Sequence, residues 1–249
     1  MAKIVMIGSA RIDENGNAHG GQAGDQKNGF EVSTQEWYKH SKGWRVFRCK
    51  DPVKAERVAK TMEWACDNAL IGYDQYARNT LYNELKKSGF DGAPVLKKAV
   101  ETDCSALVRV CLAFAGIDAP ADFYTGGMAK QMLATGEIVE MPGSKYADKP
   151  DYLGRGDILV TKTKGHTVVV LTNGEKFEGA SSTTDPQPEG DLKIKTGSWR
   201  IRSGPGTEYD TVDYARSGDT LESVKTDGWI PVLHKGVVRW ISKNALEED

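Results

Sequence analysis

Two stretches of the chain carry apolar residues at helical spacing. After Asp51-Pro52, Val58, Met62, Ala65, Cys66 and Ala69 fall on one stripe, with a capping carboxylate and a proline at the first helical position. After Asp103, a second stripe runs through Leu107, Val108, Cys111, Leu112 and Ala115 and stops at Gly116. A more polar helix is predicted near Thr80 to Ser88, and a short one from Gly126-Gly127 through Leu133. Apolar runs too short for helices predict strands at Ile4–Ile7, Ile138–Met141, Gly156–Val160, His166–Leu171 and Lys176–Gly179. The rest of the first fifty residues reads as irregular, including a glycine-rich turn segment from His19 to Gln26. Helices followed by a run of antiparallel strands make an α+β fold the expectation.

The 249 residues, 39% of them hydrophobic, suffice for a packed core. The 33 basic and 35 acidic residues nearly balance, so no global field recruits nucleic acid or anionic lipid. No apolar stretch is long enough to span a bilayer or to form a signal-peptide core. Synthesis in the cytoplasm, with no membrane insertion, is therefore expected, and any role outside needs another exit route. Cys49, Cys66, Cys104 and Cys111 lie far apart, which argues against a disulfide framework. With four histidines and no zinc-type spacing, neither a metal nor another cofactor is expected.

Cys104 is the chemistry-bearing residue. Asp103 places it in the first turn of a helix, where unpaired N–H groups and the positive dipole end favour a thiolate. The same N–H groups, including that of Ser105, are placed to hold an oxyanion after attack on an acyl carbon. His166, after Gly165 at the start of a β-branched strand, is the candidate base. A base needs an orienting partner. Glu178 and Asn173 are the two candidates, and the register of a hairpin after His166 decides between them. Asp103, Gly165 and Asn173 are candidate substrate contacts.

Asp103-Cys104-Ser105-Ala106-Leu107-Val108, then Gly156-Asp157-Ile158-Leu159, then Gly165-His166-Thr167-Val168-Val169-Val170-Leu171, resembles the NlpC/P60 family of cell-wall cysteine peptidases over about residues 50 to 180. The resemblance implies a papain-like α+β fold, Cys104 as nucleophile, His166 as general base and peptidoglycan as substrate. It puts the third polar position, usually His, Asn or Gln, on Glu178, and a thiol-contacting tyrosine on Tyr73, 31 positions upstream of the cysteine. Residues 181–192 read as a linker. From Trp199-Arg200-Ile201-Arg202-Ser203-Gly204-Pro205-Gly206-Thr207-Glu208-Tyr209 to Val238-Arg239-Trp240-Ile241, the remainder (193–249) resembles a bacterial SH3 (SH3b) domain, a small β-barrel that holds cell-wall peptides. Tyr209, Trp229 and Trp240 are candidate wall contacts or barrel core. Basic and acidic residues number nine each in this segment, which favours recognition by shape.

A catalytic domain, a linker and a wall-binding module without an export signal form the arrangement of a phage endolysin released through a holin pore. The alternatives are an N-acetylmuramoyl-L-alanine amidase using the same residues, and a wall-binding protein with an inactive catalytic fold. Oligomeric state is not legible.

Overall fold

The computed structural model describes residues 3–27, 29–177, 191–202, 211–223, 229–234 and 237–242. The chain divides into two compact units, residues 1–181 and 182–249.

In the first unit, strands β1 (Met6–Ala10), β2 (Val32–Glu36) and β3 (Trp44–Cys49) precede helix α1 (Pro52–Cys66). Then come β4 (Ile71–Tyr73), α2 (Thr80–Leu85), β5 (Val100–Thr102), α3 (Cys104–Phe114), α4 (Met128–Ala134), β6 (Ile138–Met141), α5 (Ser144–Ala147), β7 (Ile158–Thr161) and β8 (Thr167–Val170). Six strands form one antiparallel sheet in the order β2-β1-β8-β7-β3-β6. A small parallel pair, β4 with β5, stands apart. The mixed helix-and-strand composition agrees with the expected α+β class.

The sheet is covered on both faces, and the alternation along each strand shows how. Phe47, Ile158, Val160 and Val169 face the main core with α1 and α3; Val46, Leu159, Val168 and Val170 face a smaller cluster around Trp44 and Leu153. Asp51 caps α1 by accepting from the Val53 N–H at 2.8 Å, with Pro52 in the first turn as its spacing predicts. Helix α1 lies so close on β1 that a Cβ at Gly8 would come within 2.7 Å of Met62 Cγ, so only glycine fits there.

Two expectations are corrected. The first fifty residues are not irregular: β1, β2 and β3 supply half of the six-stranded sheet. Lys176 and Phe177 do not open a strand, because β1 already occupies the free edge of β8 (Ile7 opposite Val170). The chain instead folds back on the loop before β7, with Gly174 N–H on Leu153 O and Lys176 N–H on Asp151 O, each at 2.8 Å.

The second unit contains β9 (Asp191–Lys193), β10 (Ser198–Arg202), β11 (Thr211–Arg216), β12 (Thr220–Ser223), β13 (Trp229–His234) and β14 (Val237–Ser242). Their order is β11-β10-β14-β13-β12-β9, around Ile194, Ile201, Ala215, Leu221 and Ile241. The sheet does not close into the expected barrel among the described residues. Asp191 and Leu192, expected in the linker, belong to β9; residues 181–190 lie outside the described ones.

Arg48 on β3 holds the start of β7: its Nε and Nη2 each donate to the buried Asp157 carboxylate at 2.7 Å, which also accepts the Gly154 N–H. Asp157→Ala strands a largely buried guanidinium. It is expected to cost about 3–5 kcal/mol, read as a lower denaturant midpoint for the first unit.

Candidate active site

Asp103 sets the start of α3. One carboxylate oxygen accepts the Ala106 N–H at 2.7 Å and the Ser105 hydroxyl at 3.0 Å; the other faces Arg78 Nε at 2.8 Å. Arg78 Nη2 also donates to Ser105 Oγ (2.9 Å) and to the Phe123 carbonyl (2.6 Å). The Leu107 N–H bonds the Asp103 carbonyl, so the first turn uses the N–H groups of Ala106 and Leu107 for its own cap and closure. Those of Cys104 and Ser105 have no such use.

Cys104 Sγ sits against β8. It is 7% exposed, and the backbone of Thr167 and of Ser105 lies near enough to bear on its charge. Thr167 directly follows His166, so the packing of α3 on β8 brings the start of that strand toward the first turn of α3. The His166 backbone is fixed by Thr161, whose N–H donates to the His166 carbonyl at 3.0 Å and whose hydroxyl accepts the His166 N–H at 2.9 Å. The imidazole packs 6.4 Å (between ring centroids) from Trp44, itself 5.1 Å from His40.

The charge states differ from the sequence expectation. Burial, then the neighbouring Asp103 carboxylate, pushes the Cys104 thiol up to about 12, outweighing the backbone of Thr167 and Ser105 and the Arg78 charge. A rise of three units from the ordinary 9 is worth roughly 4 kcal/mol, whereas a helix N-terminus offers about 2 kcal/mol at most. Desolvation wins. His166 moves the opposite way, down to about 4, through burial and then the positive charge of His40 and Arg11. Burial thus favours a neutral thiol at Cys104 and a neutral imidazole at His166.

Around this pair stand groups the sequence did not single out. Tyr38 is raised by burial and feels the Cys104 charge. Its carbonyl accepts the Trp44 indole N–H at 2.8 Å. Arg11 donates to Gln35 Oε1 at 2.7 Å and to Ser33 Oγ, both on β2. Lys42 Nζ donates to the Lys164 carbonyl at 2.6 Å and ties the loop carrying His40 to the loop carrying Gly165. Of these contacts only the Lys42–Lys164 tie joins residues more than a hundred positions apart. Tyr73, the tyrosine implied by resemblance, is buried at 3% exposure, its hydroxyl accepting Gln75 Nε2 at 3.0 Å; burial and then Cys104 push it up to about 12.

Other predicted contacts go elsewhere. Asn173 lies at the far end of β8 from His166, and its amide oxygen accepts the Arg155 N–H at 2.7 Å, so it neither orients the imidazole nor faces substrate beside it. Asp103 serves as the cap of α3 and the partner of Arg78. Gly165 is exposed, with its N–H toward Thr125 Oγ1 at 3.3 Å. Glu178 and Tyr209 lie outside the described residues, and Trp229 and Trp240 are described only as backbone of β13 and β14. Among the described residues no three acidic, histidine or cysteine side chains already form a metal-binding set, and no helix is long and apolar enough to cross a membrane.

Residues 7–177, spanning the sheet, α3 and His166, match the endolysin-like domain family. The chain belongs to that family. Membership makes it an endolysin-like protein and ties it to phage-type lysis of the cell wall, with peptidoglycan as the substrate polymer. No curated protein matches the chain.

The His166 shift fixes a pH dependence. Its folded value, about 4, lies below the ordinary 6.5, so between those values the unfolded chain binds a proton that the native state refuses. Stability is full above about 6.5 and falls as pH drops toward 4, by about 3 kcal/mol from this group. His166→Gln is expected to remove that share of the decline, measured as the difference between denaturant midpoints at about pH 7 and about pH 5 for both proteins.

Proposed function

We propose that this endolysin-like protein cuts a peptide bond in the stem or cross-bridge of peptidoglycan by cysteine nucleophilic catalysis, in the manner of the NlpC/P60 enzymes its motifs resemble. The observation that supports the proposal is the packing of α3, which begins at Cys104, against β8, which begins one residue after His166. Cys104 Sγ attacks the carbonyl carbon while its proton passes to His166, so the neutral pair becomes charged only as the S–C bond forms. The N–H groups of Cys104 and Ser105, unclaimed by the helix, hold the oxyanion. Collapse breaks the C–N bond, and the His166 imidazolium gives its proton to the leaving amine. Water, deprotonated by His166, then hydrolyses the thioester.

His40 does not supply the third polar group: its charge lowers the basicity of His166, and its Nδ1 already accepts the Lys42 N–H at 3.0 Å, which leaves it only an N–H to donate. Glu178 remains the position implied by resemblance. For the second unit we propose wall binding of the SH3b kind, supported by its sequence resemblance and by its folding as a separate compact unit. Release through a holin-type pore belongs to the same proposal. The amidase alternative uses the same thiol and imidazole on a different bond.

Replacing Cys104 with alanine is expected to reduce lysis of peptidoglycan suspensions by at least roughly a thousandfold with the thermal unfolding profile kept. Alanine at Cys49, Cys66 or Cys111, all buried away from the site, is expected to leave lysis within about threefold once folded protein is matched. Unchanged lysis by the Cys104 variant would remove the mechanism. Mass spectrometry of the released fragments separates the two scissile bonds: new peptide amino termini inside the stem or bridge mark a peptidase, and stems freed from muramic acid mark an amidase.

A further inference from the structure

Arg11 lies one step beyond β1. Continuing the β1–β8 register past Ile7–Val170 and Gly8–Val169 sets it across from His166, itself one step before β8. Ile7, Val168 and Val170 face the cluster around Trp44, and the two-residue period of both strands carries Arg11 and His166 to that same face. The contact between the His166 and Trp44 rings agrees with this placement.

The Arg11 guanidinium is half-buried and held by uncharged acceptors: Nη1 donates to Gln35 Oε1 at 2.7 Å and Nη2 to Ser33 Oγ. Charges drawn out of water are ordinarily paired. Among the described residues, however, no carboxylate forms an ion pair with Arg11. Its positive charge bears on His166 and on Tyr38, and the Cys104 charge bears on Tyr38 too. The nearby loops add cations. Lys42 Nζ donates to the Lys164 carbonyl, and the Lys162 N–H to the Gly43 carbonyl at 3.1 Å, so the β2–β3 and β7–β8 loops meet there. Neither Lys42 nor Lys162 is in an ion pair among the described residues; Asp148, on which the Lys162 charge acts, is held by Lys39 at 2.9 Å. Positive charge gathered without counter-charge at this end of the sheet draws an anionic ligand.

We propose that Arg11 receives a carboxylate of the substrate, so that the protein selects acidic stem peptides over amidated ones. The identity of the anion rests on the peptidase reading given above. Of the five N–H donors of a guanidinium, Gln35 and Ser33 use two, and the remaining three suit a carboxylate held bidentately. Gln35 and Ser33 fix the plane of the fork before the ligand arrives. The half-buried setting strengthens the pairing relative to an exposed lysine.

The test uses the full-length protein with Cys104→Ala to suppress cleavage, and two synthetic stem tetrapeptides, one with free carboxyl groups and one with them amidated. Calorimetry is expected to show the free acid binding about tenfold more tightly, and adding Arg11→Gln is expected to bring the ratio to about one. A purely structural role for Arg11 would weaken both peptides alike and leave the ratio standing, which would overturn the proposal, as would equal affinities with Arg11 in place. Where Arg11→Gln fails to fold, Arg11→Lys takes its place: it keeps the charge and loses the fork, so the ratio is expected to fall to roughly threefold, and an undiminished ratio overturns the anchor. Cleavage by the native protein is followed separately. Preferential binding with no cleavage would remove the peptidase reading and leave the carboxylate anchor in place.

Discussion

The carboxylate of Asp103 is the constraint on which the candidate site depends. One side chain caps α3, holds the Ser105 hydroxyl and pairs with Arg78, whose guanidinium reaches the Phe123 carbonyl. Those bonds fix where the first turn begins, and hence which two N–H groups the helix leaves unclaimed. They also set a cost, because the same carboxylate opposes ionisation of the neighbouring thiol. The residue that positions the sulfur is thus one reason for its neutral resting state.

A neutral thiol and imidazole differ from a preformed ion pair in when the work of charge separation is done. Burial holds both groups uncharged, so in the proposed mechanism they charge only when a carbonyl carbon is present to accept the sulfur. The dipole end of α3 and the Thr167 and Ser105 N–H groups act against that barrier without removing it.

The sequence made α1 and α3 legible, because caps, proline position and a 3.6-residue stripe are local signals. Strands β2 and β3 were hidden by composition. Val32-Ser33-Thr34-Gln35-Glu36 is a polar edge strand, and Trp44-Arg45-Val46-Phe47-Arg48-Cys49 carries arginines whose charges are met by Glu140 and Asp157 far along the chain. The hairpin sought after His166 failed for a related reason. Its edge belongs to β1, a pairing across more than 160 residues that no local turn chemistry announces. Asn173 was misplaced with it. Arg78 and His40 escaped notice because only tertiary packing brings Arg78 to Asp103 and His40 toward His166.

The position of β1 beside β8 has a consequence for how the domain is made. Its first strand leaves the ribosome early and finds its inner neighbour only after Val170 has emerged, so the central sheet cannot close during most of synthesis. Such distant pairing slows folding, and it delays the meeting of α3 with the start of β8 as well. A nascent chain therefore carries Cys104 as an ordinary solvent-facing thiol, and the assembled pair arises only on a finished domain.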